Sequence, residues 1–280
     1  MTDTLWIILT GSLVAICCCI LGSFLILRKM SMVGDAISHS VLPGIVIAFF
    51  ITGSMQSVWM LVGAGVLGVF TTFLIEFLHR QGKIQTDASI GVTFTWLFAL
   101  GVILVTYYAG NTHIDQDCIL HGEIAYVPID LLYTSSGYPV GPKAVIVLSV
   151  LLVLILFFVI AFYKEISITT FDPSYAQSIG ISTGKWHYLL MGFVSLTTVA
   201  SFESVGAILV VAFLISPAAS AYLLTTDLRY MLLLGAVFGV ISAVGGYFLA
   251  YWTNGSIAGA MVTVSGVIFA ICYLIVRLRK

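Results

Sequence analysis

Long apolar runs, each of about twenty residues and parted by short polar gaps, set the pattern of this 280-residue chain. A run of that length crosses a bilayer as a helix, since about 1.5 Å per residue must cover about 30 Å of hydrocarbon. The runs fall at residues 5–27, 33–51, 58–77, 88–108, 144–163, 186–200, 205–224, 230–252 and 257–276. That makes nine predicted spans. The sixth and seventh are short and parted only by residues 201–204, so eight is the alternative. The pattern predicts an all-α, polytopic membrane helical bundle of 8–9 transmembrane helices, read as a single domain over residues 1–280. Ala64 with Gly68, and Gly235 with Gly239, place small residues one turn apart, where helices pack closely. Gly245 and Gly246 mark a further close contact. Pro43 and Pro217 are expected to break the backbone ladder locally, which a membrane tolerates where the backbone is buried or lines a cavity.

Composition fixes the class. Hydrophobic residues make up 60% of the chain and charged residues 8%, against about a quarter in a soluble domain. A net charge of −1 with no basic patch gives no reason to expect a nucleic-acid partner; the surrounding partner is membrane lipid. The five cysteines form no framework. Cys17, Cys18 and Cys19 fan apart on a helix, Cys118 and Cys272 are isolated, and all five read as small apolar filler. The first run lacks a preceding basic segment and a following small-residue cleavage site, so it reads as a retained span.

Basic residues orient the spans. Arg28, Lys29, Arg80, Lys83, Lys164, Lys185, Arg229, Arg277, Arg279 and Lys280 all fall on one side if nine spans alternate, and that side is the cytoplasm. Only Lys143 falls opposite. The amino terminus is then outside and the carboxyl terminus inside, and this agreement favours nine spans.

Against that apolar background the stretch from Met32 to Gly44, M-V-G-D-A-I-S-H-S-V-L-P-G, carries a carboxylate and an imidazole. Asp35 and His39 lie four residues apart and so share one face of a helix. A charge within a span is costly and faces a bundle interior or an aqueous path. One oxygen and one nitrogen donor form half of a site for Mn²⁺ or Zn²⁺. The plain alternative has Asp35 capping the helix and His39 bonding to backbone. The pair would be completed by a two-fold axis that brings together two copies. Such a mixed donor set suits Mn²⁺ or Zn²⁺ better than Cu⁺.

Two polar segments remain. The outer one, residues 110–142, holds Asp115, Asp117, Glu123 and Asp130 with His113 and His121. Asp117, His121 and Glu123 are accessory ligand candidates, and the competing reading, which we favour, is an ordinary solvated loop. In the inner segment, residues 164–185, F-D-P-S-Y-A-Q-S-I-G reads as a short helix with Asp172 as N-cap, Pro173 at its first position and Gly180 at its stop. It serves either as a plain connector or as a peg seated in a cleft of another subunit. In the second case the aromatic residues Phe171 and Tyr175 form its edge, and Ala176 and Gly180 let the partner approach.

Several of these motifs, in order from about Arg28 to Leu224, resemble membrane permeases of the manganese/zinc/iron class of ABC importers (ABC-3 type). G-D-A-I-S-H-S-V-L-P-G after L-R-K-M-S-M is similar to the family signature. F-D-P-S-Y-A-Q-S-I-G-I is similar to its cytoplasmic coupling helix, and S-V-G-A-I-L-V-V-A-F-L-I-S-P-A-A-S-A-Y-L-L-T to a late span. The outer D-Q-D-C-I-L-H-G-E-I-A-Y-V-P is most like the manganese branch. The resemblance implies a type II ABC importer-like permease in the bacterial cytoplasmic membrane. Asp35 and His39 would contact the transported Mn²⁺ (or Zn²⁺ or Fe²⁺), with no permanently bound cofactor. Phe171, Asp172, Pro173, Tyr175, Ala176 and Gly180 would meet a cytoplasmic ABC ATPase dimer. An extracellular metal-binding protein and a second permease copy or paralogue complete the implied set of partners. Glu203 departs from the neutral polar residue expected there; it either adds a ligand near the outer mouth or, as we read it, is solvated.

The chain has no G-x-x-x-x-G-K-[ST] loop, so ATP hydrolysis belongs to a separate subunit and the chain is not itself an enzyme. An ion-coupled secondary metal transporter would show the same Asp/His pair without needing a peg. An intramembrane metalloenzyme would need an H-E-x-x-H set, and no His-Glu pair occurs.

Overall fold

The computed structural model describes residues 2–52, 57–108, 123–133 and 139–278. The helices are α1 (Thr2–Leu27), α2 (Val33–Ser40), α3 (Leu42–Thr52), α4 (Ser57–Gly82), α5 (Thr86–Tyr108), α6 (Lys143–Ala161), α7 (Tyr163–Phe171), α8 (Pro173–Ser178), α9 (Thr183–Val205), α10 (Ala207–Leu224), α11 (Leu228–Thr253) and α12 (Ile257–Leu278). Among the described residues nine segments are long and apolar enough to cross a membrane, α2 and α3 together making one. Between α5 and α6, strands β1 (Leu131–Tyr133) and β2 (Pro139–Pro142) pair antiparallel, Leu131 opposite Pro142.

The chain packs as two compact units. The first comprises Met1–Lys29, Leu120–Tyr163 and Ala200–Lys280. Here α1 lies against α10 and α11, α12 against the same two helices, and α6 against α1. Gly22 on α1 meets the α10 backbone so closely that a Cβ would overlap the Leu214 carbonyl. The small residues named from the sequence behave alike: a Cβ on Gly239 would lie 2.9 Å from the Ala15 Cβ. Cys17, Cys18 and Cys19 are fully buried, in keeping with apolar filler. By contrast Val153, Phe157 and Ile160 of α6 stand exposed, as side chains that meet lipid must.

Three polar contacts at helix ends show how the spans of this unit alternate. Thr4 and Tyr247 share a hydrogen bond of 2.8 Å, which sets the start of α1 beside the end of α11. Lys143 Nζ donates to Glu203 Oε1 at 2.9 Å, so the start of α6 lies beside the end of α9. At the opposite end of α6, the Arg229 guanidinium sits 5.4 Å over the Tyr163 ring. Each contact joins ends that the nine-span alternation puts on one side.

The second unit comprises Met30–Ile119 and Lys164–Val199. Helices α2 and α3 lie against α4 and α5. Leu42, Val46 and Val105 form a buried cluster there, flanked by Phe98, Val102 and Leu104.

One of the expected breaks falls elsewhere. The sixth span does not stop at residues 201–204: α9 runs through them to Val205 and the junction is Gly206, at φ +80°. Polar Ser and Thr are no bar to a buried helix when they back-bond to its carbonyls, as Thr197 does to Phe193 O at 2.7 Å. The sharp turn instead falls where glycine permits the left-handed backbone. Pro217 lies inside α10, which continues through it; only its own missing N–H interrupts the ladder. Pro43 does coincide with a break, at Val41 between α2 and α3.

Candidate metal-binding site

Helix α2 is short and sits between two interruptions. Lys29 at φ +58° turns the chain after α1, and Met32 serves as N-cap without a side-chain bond. Asp35 then falls in the first turn and His39 in the last, placements that favour a negative charge and a protonatable ring respectively. The rest of the helix is anchored by burial: Val33, Gly34, Ala36, Ile37, Ser38 and Ser40 are all buried. Asp35 and His39 are the two residues of α2 that are not, with side chains 38% and 43% exposed. The helix is thus packed on every side except the one that bears its two metal-type donors.

His39 Nε2 and Asp35 Oδ1 lie 3.6 Å apart. That is beyond a direct hydrogen bond and short enough for both to hold one cation. Phe94 and Phe98 of α5 stand with ring centroids 6.0 Å from the imidazole, which restricts where the ring can turn. Behind the pair, Ser38 Oγ donates to the Asp35 carbonyl, and Ser40 Oγ shares a 2.8 Å hydrogen bond with Thr71 on α4. Among the described residues no third His, Cys, Asp or Glu gathers with them. Among the described residues, then, the pair offers one oxygen and one nitrogen donor.

The inner segment folds as its sequence suggests. Asp172 Oδ1 accepts a 2.9 Å bond from the Tyr175 amide, Pro173 opens α8, and Gly180 takes φ +84° just past its end. Phe171 and Tyr175 are both exposed, but they do not form one helical edge: Phe171 ends α7 and Asp172, at φ −140°, separates the helices. Ala176 is fully buried. Its small size therefore serves the packing beneath α8, not the approach of a partner. Gly180 has open space where a side chain would go.

Glu203 is not bare: Lys143 holds its carboxylate. This is the one lysine that the basic-residue pattern left on the outer side. Glu123 is exposed ahead of the 3-10 turn Ile124–Tyr126 and makes no capping bond. Asp117 and His121 lie outside the described residues.

One polar pair was not anticipated. In the second unit, Glu76 Oε2 on α4 and His187 Nε2 on α9 lie 2.5 Å apart, their side chains 10% and 12% exposed. The signal was available: Glu76 is a carboxylate within an apolar run, the same feature that singles out Asp35.

The bundle and its open Asp/His pair define a multi-pass membrane protein with a polar element set into its transmembrane part. The chain belongs to the ABC 3 transport family, whose model matches residues 2–277. It is 52% identical to the manganese transport system membrane protein MntD of Bacillus subtilis over 269 residues, covering 96% of this chain and 90% of that one. It is 41% identical to the zinc transport system membrane protein TroD of Treponema pallidum, covering 97% of this chain and 73% of that one. Among solved structures, PsaBC from Streptococcus pneumoniae in complex with Fab aligns with a TM-score of 0.77 at 33% identity, over 96% of this chain and 90% of the matched chain.

Proposed function

We propose that this chain is the membrane-spanning subunit of an ATP-driven importer of divalent transition metal, with Mn²⁺ first and Zn²⁺ or Fe²⁺ as alternatives. The observation that carries the reading is α2, which buries every residue except the two that can ligate such an ion. A relative named for manganese transport and another named for zinc transport support the same cargo class. Membership of an ABC transport family favours this reading over the ion-coupled secondary transporter.

In this reading a second copy or paralogue brings its own Asp/His pair to a two-fold axis, giving two carboxylates and two imidazoles around the path. Such a set holds Mn²⁺ or Zn²⁺ well enough to select it and loosely enough to release it. An extracellular metal-binding protein delivers the ion. The exposed aromatics Phe171 and Tyr175, with Asp172, Pro173 and Gly180 shaping the turn around them, engage a cytoplasmic ATPase dimer that supplies the energy. Ala176 belongs to this element as the residue that seats α8 on its own unit.

The test is metal-dependent ATP hydrolysis in proteoliposomes holding the purified permease–ATPase complex. Stimulation by Mn²⁺, lost in His39→Ala at equal complex abundance, is the expected result. Equal stimulation in wild type and His39→Ala would remove the pair from the path.

A further inference from the structure

We propose that Glu76 and His187 form a strut that carries displacement of α8 to the metal-bearing helix α2. The proposal rests on the reading above, in which α8 is the element that meets the ATPase. Every link lies within the second unit. At the α8 end, the Ile181 amide donates to the Ala176 carbonyl at 2.9 Å, closing the turn after α8, and Gln177 Nε2 donates to Thr183 Oγ1 at 3.0 Å, tying α8 to the first residue of α9. Four residues on, His187 of α9 grips Glu76 of α4.

The two helices touch again further along. Ser195 Oγ reaches Gly65 O at 3.3 Å, and a Cβ on Gly68 would overlap the Ser195 hydroxyl. His187 to Ser195 is eight residues on α9, and Gly68 to Glu76 is eight residues on α4. Equal spacing, about 12 Å on each helix, is what two antiparallel rods pinned at two points require. Helix α4 then passes the constraint on. Gly68 leaves room for Ile37 of α2, and Thr71 bonds Ser40, the residue next to His39. A shift of the α9 start therefore moves α4 and α2 as one packed body, because packed interiors transmit displacement without compressing it.

The pair is not itself a site for the transported ion. Glu76 Oε2 and His187 Nε2 are closed on each other at 2.5 Å, which leaves no room for an ion between them, and both side chains are nearly excluded from solvent. Glu76 and His187 are accordingly positioning residues, acting through α2.

The test uses the permease–ATPase complex in proteoliposomes and reads Mn²⁺ moved per ATP hydrolysed, alongside complex recovery and melting temperature. The variants are Glu76→Gln, His187→Gln, their double, the exchanged pair E76H/H187E, and Tyr175→Ala on the exposed side of α8. Expected for both single Gln variants is intact complex and continued ATP hydrolysis, with the ratio reduced about tenfold. The double should be no worse than either single, since both remove one link, and the exchanged pair should recover part of the ratio. A wild-type ratio in both single variants, with Tyr175→Ala uncoupled, overturns the strut and leaves the coupling role of α8 standing. A wild-type ratio in Tyr175→Ala overturns that role, and the strut with it. Loss of complex in all four Glu76/His187 variants also overturns the proposal, because the pair is then a structural brace only.

Discussion

At the scale of single residues, four carboxylates in or beside membrane spans have separate fates set by what stands opposite each. Asp35 keeps an open face and an imidazole 3.6 Å away, Glu76 is closed onto His187, Glu203 is held by Lys143, and Asp172 caps a helix. Of the four, only Asp35 has an imidazole beside it to share an ion. Glu203→Gln is therefore expected to change stability by no more than about 1 kcal/mol, because Glu203 itself is half-exposed and its ion pair with Lys143 is screened by solvent. Mn²⁺ uptake should stay near wild type. Melting curves and uptake at limiting Mn²⁺ check both points; a marked loss of uptake at low metal would make Glu203 a ligand after all. Asp35→Asn keeps nearly the same volume but removes the charge, and uptake should fall by more than the roughly 10–100-fold that losing an outer-shell partner costs. The Asp35/His39 pair was legible in the sequence, because a four-residue spacing fixes a shared helix face whatever the tertiary fold. The Glu76/His187 pair was not, because it joins residues more than a hundred positions apart and only the packing of α4 on α9 brings them together.

At the scale of elements, the spans follow from apolar length, and the structure moves an end at residues 201–204, where the serines are buried in the bundle and Glu203 is paired with Lys143. Residues 201–204 read as a gap because serine and glutamate are costly in lipid; inside the bundle the same serines are buried and helical. Helix α8 was legible down to its cap, since Asp-Pro and a later glycine are local signals. Its orientation was not, since no local rule says which face of a six-residue helix meets the protein, and Ala176 turned out to be beneath it. The tightest joint between long helices is α1 on α10, where Gly22 meets the Leu214 backbone. Gly22→Val is expected to destabilise the protein by about 1–3 kcal/mol through overpacking, seen as an earlier unfolding transition in detergent. The same substitution at Gly65, where an added Cβ would meet nothing within 4 Å, should have a much smaller effect; equal losses at both sites would mean that glycine acts there through helix propensity alone.

At the scale of the whole molecule, the proposed transport is directional: an ion would cross along a path whose ligands are paired between two permease copies and whose motion is driven from one membrane face. Direction requires that α8 face the cytoplasm. Ser174, exposed on α8, offers a direct check. In a background without the native cysteines, Ser174→Cys should react with an impermeant maleimide in inverted vesicles and not in intact cells; labelling from outside would reverse the orientation. The central claim, that Asp35 and His39 hold the transported ion, is tested most directly by locating the ion. Anomalous scattering at the manganese edge from the Mn²⁺-loaded permease–ATPase complex should show density between the Asp35 carboxylates and His39 imidazoles of two permease copies, and none there in Asp35→Ala. Density at another set of side chains, with the Asp35/His39 position empty in the wild type, would contradict the account.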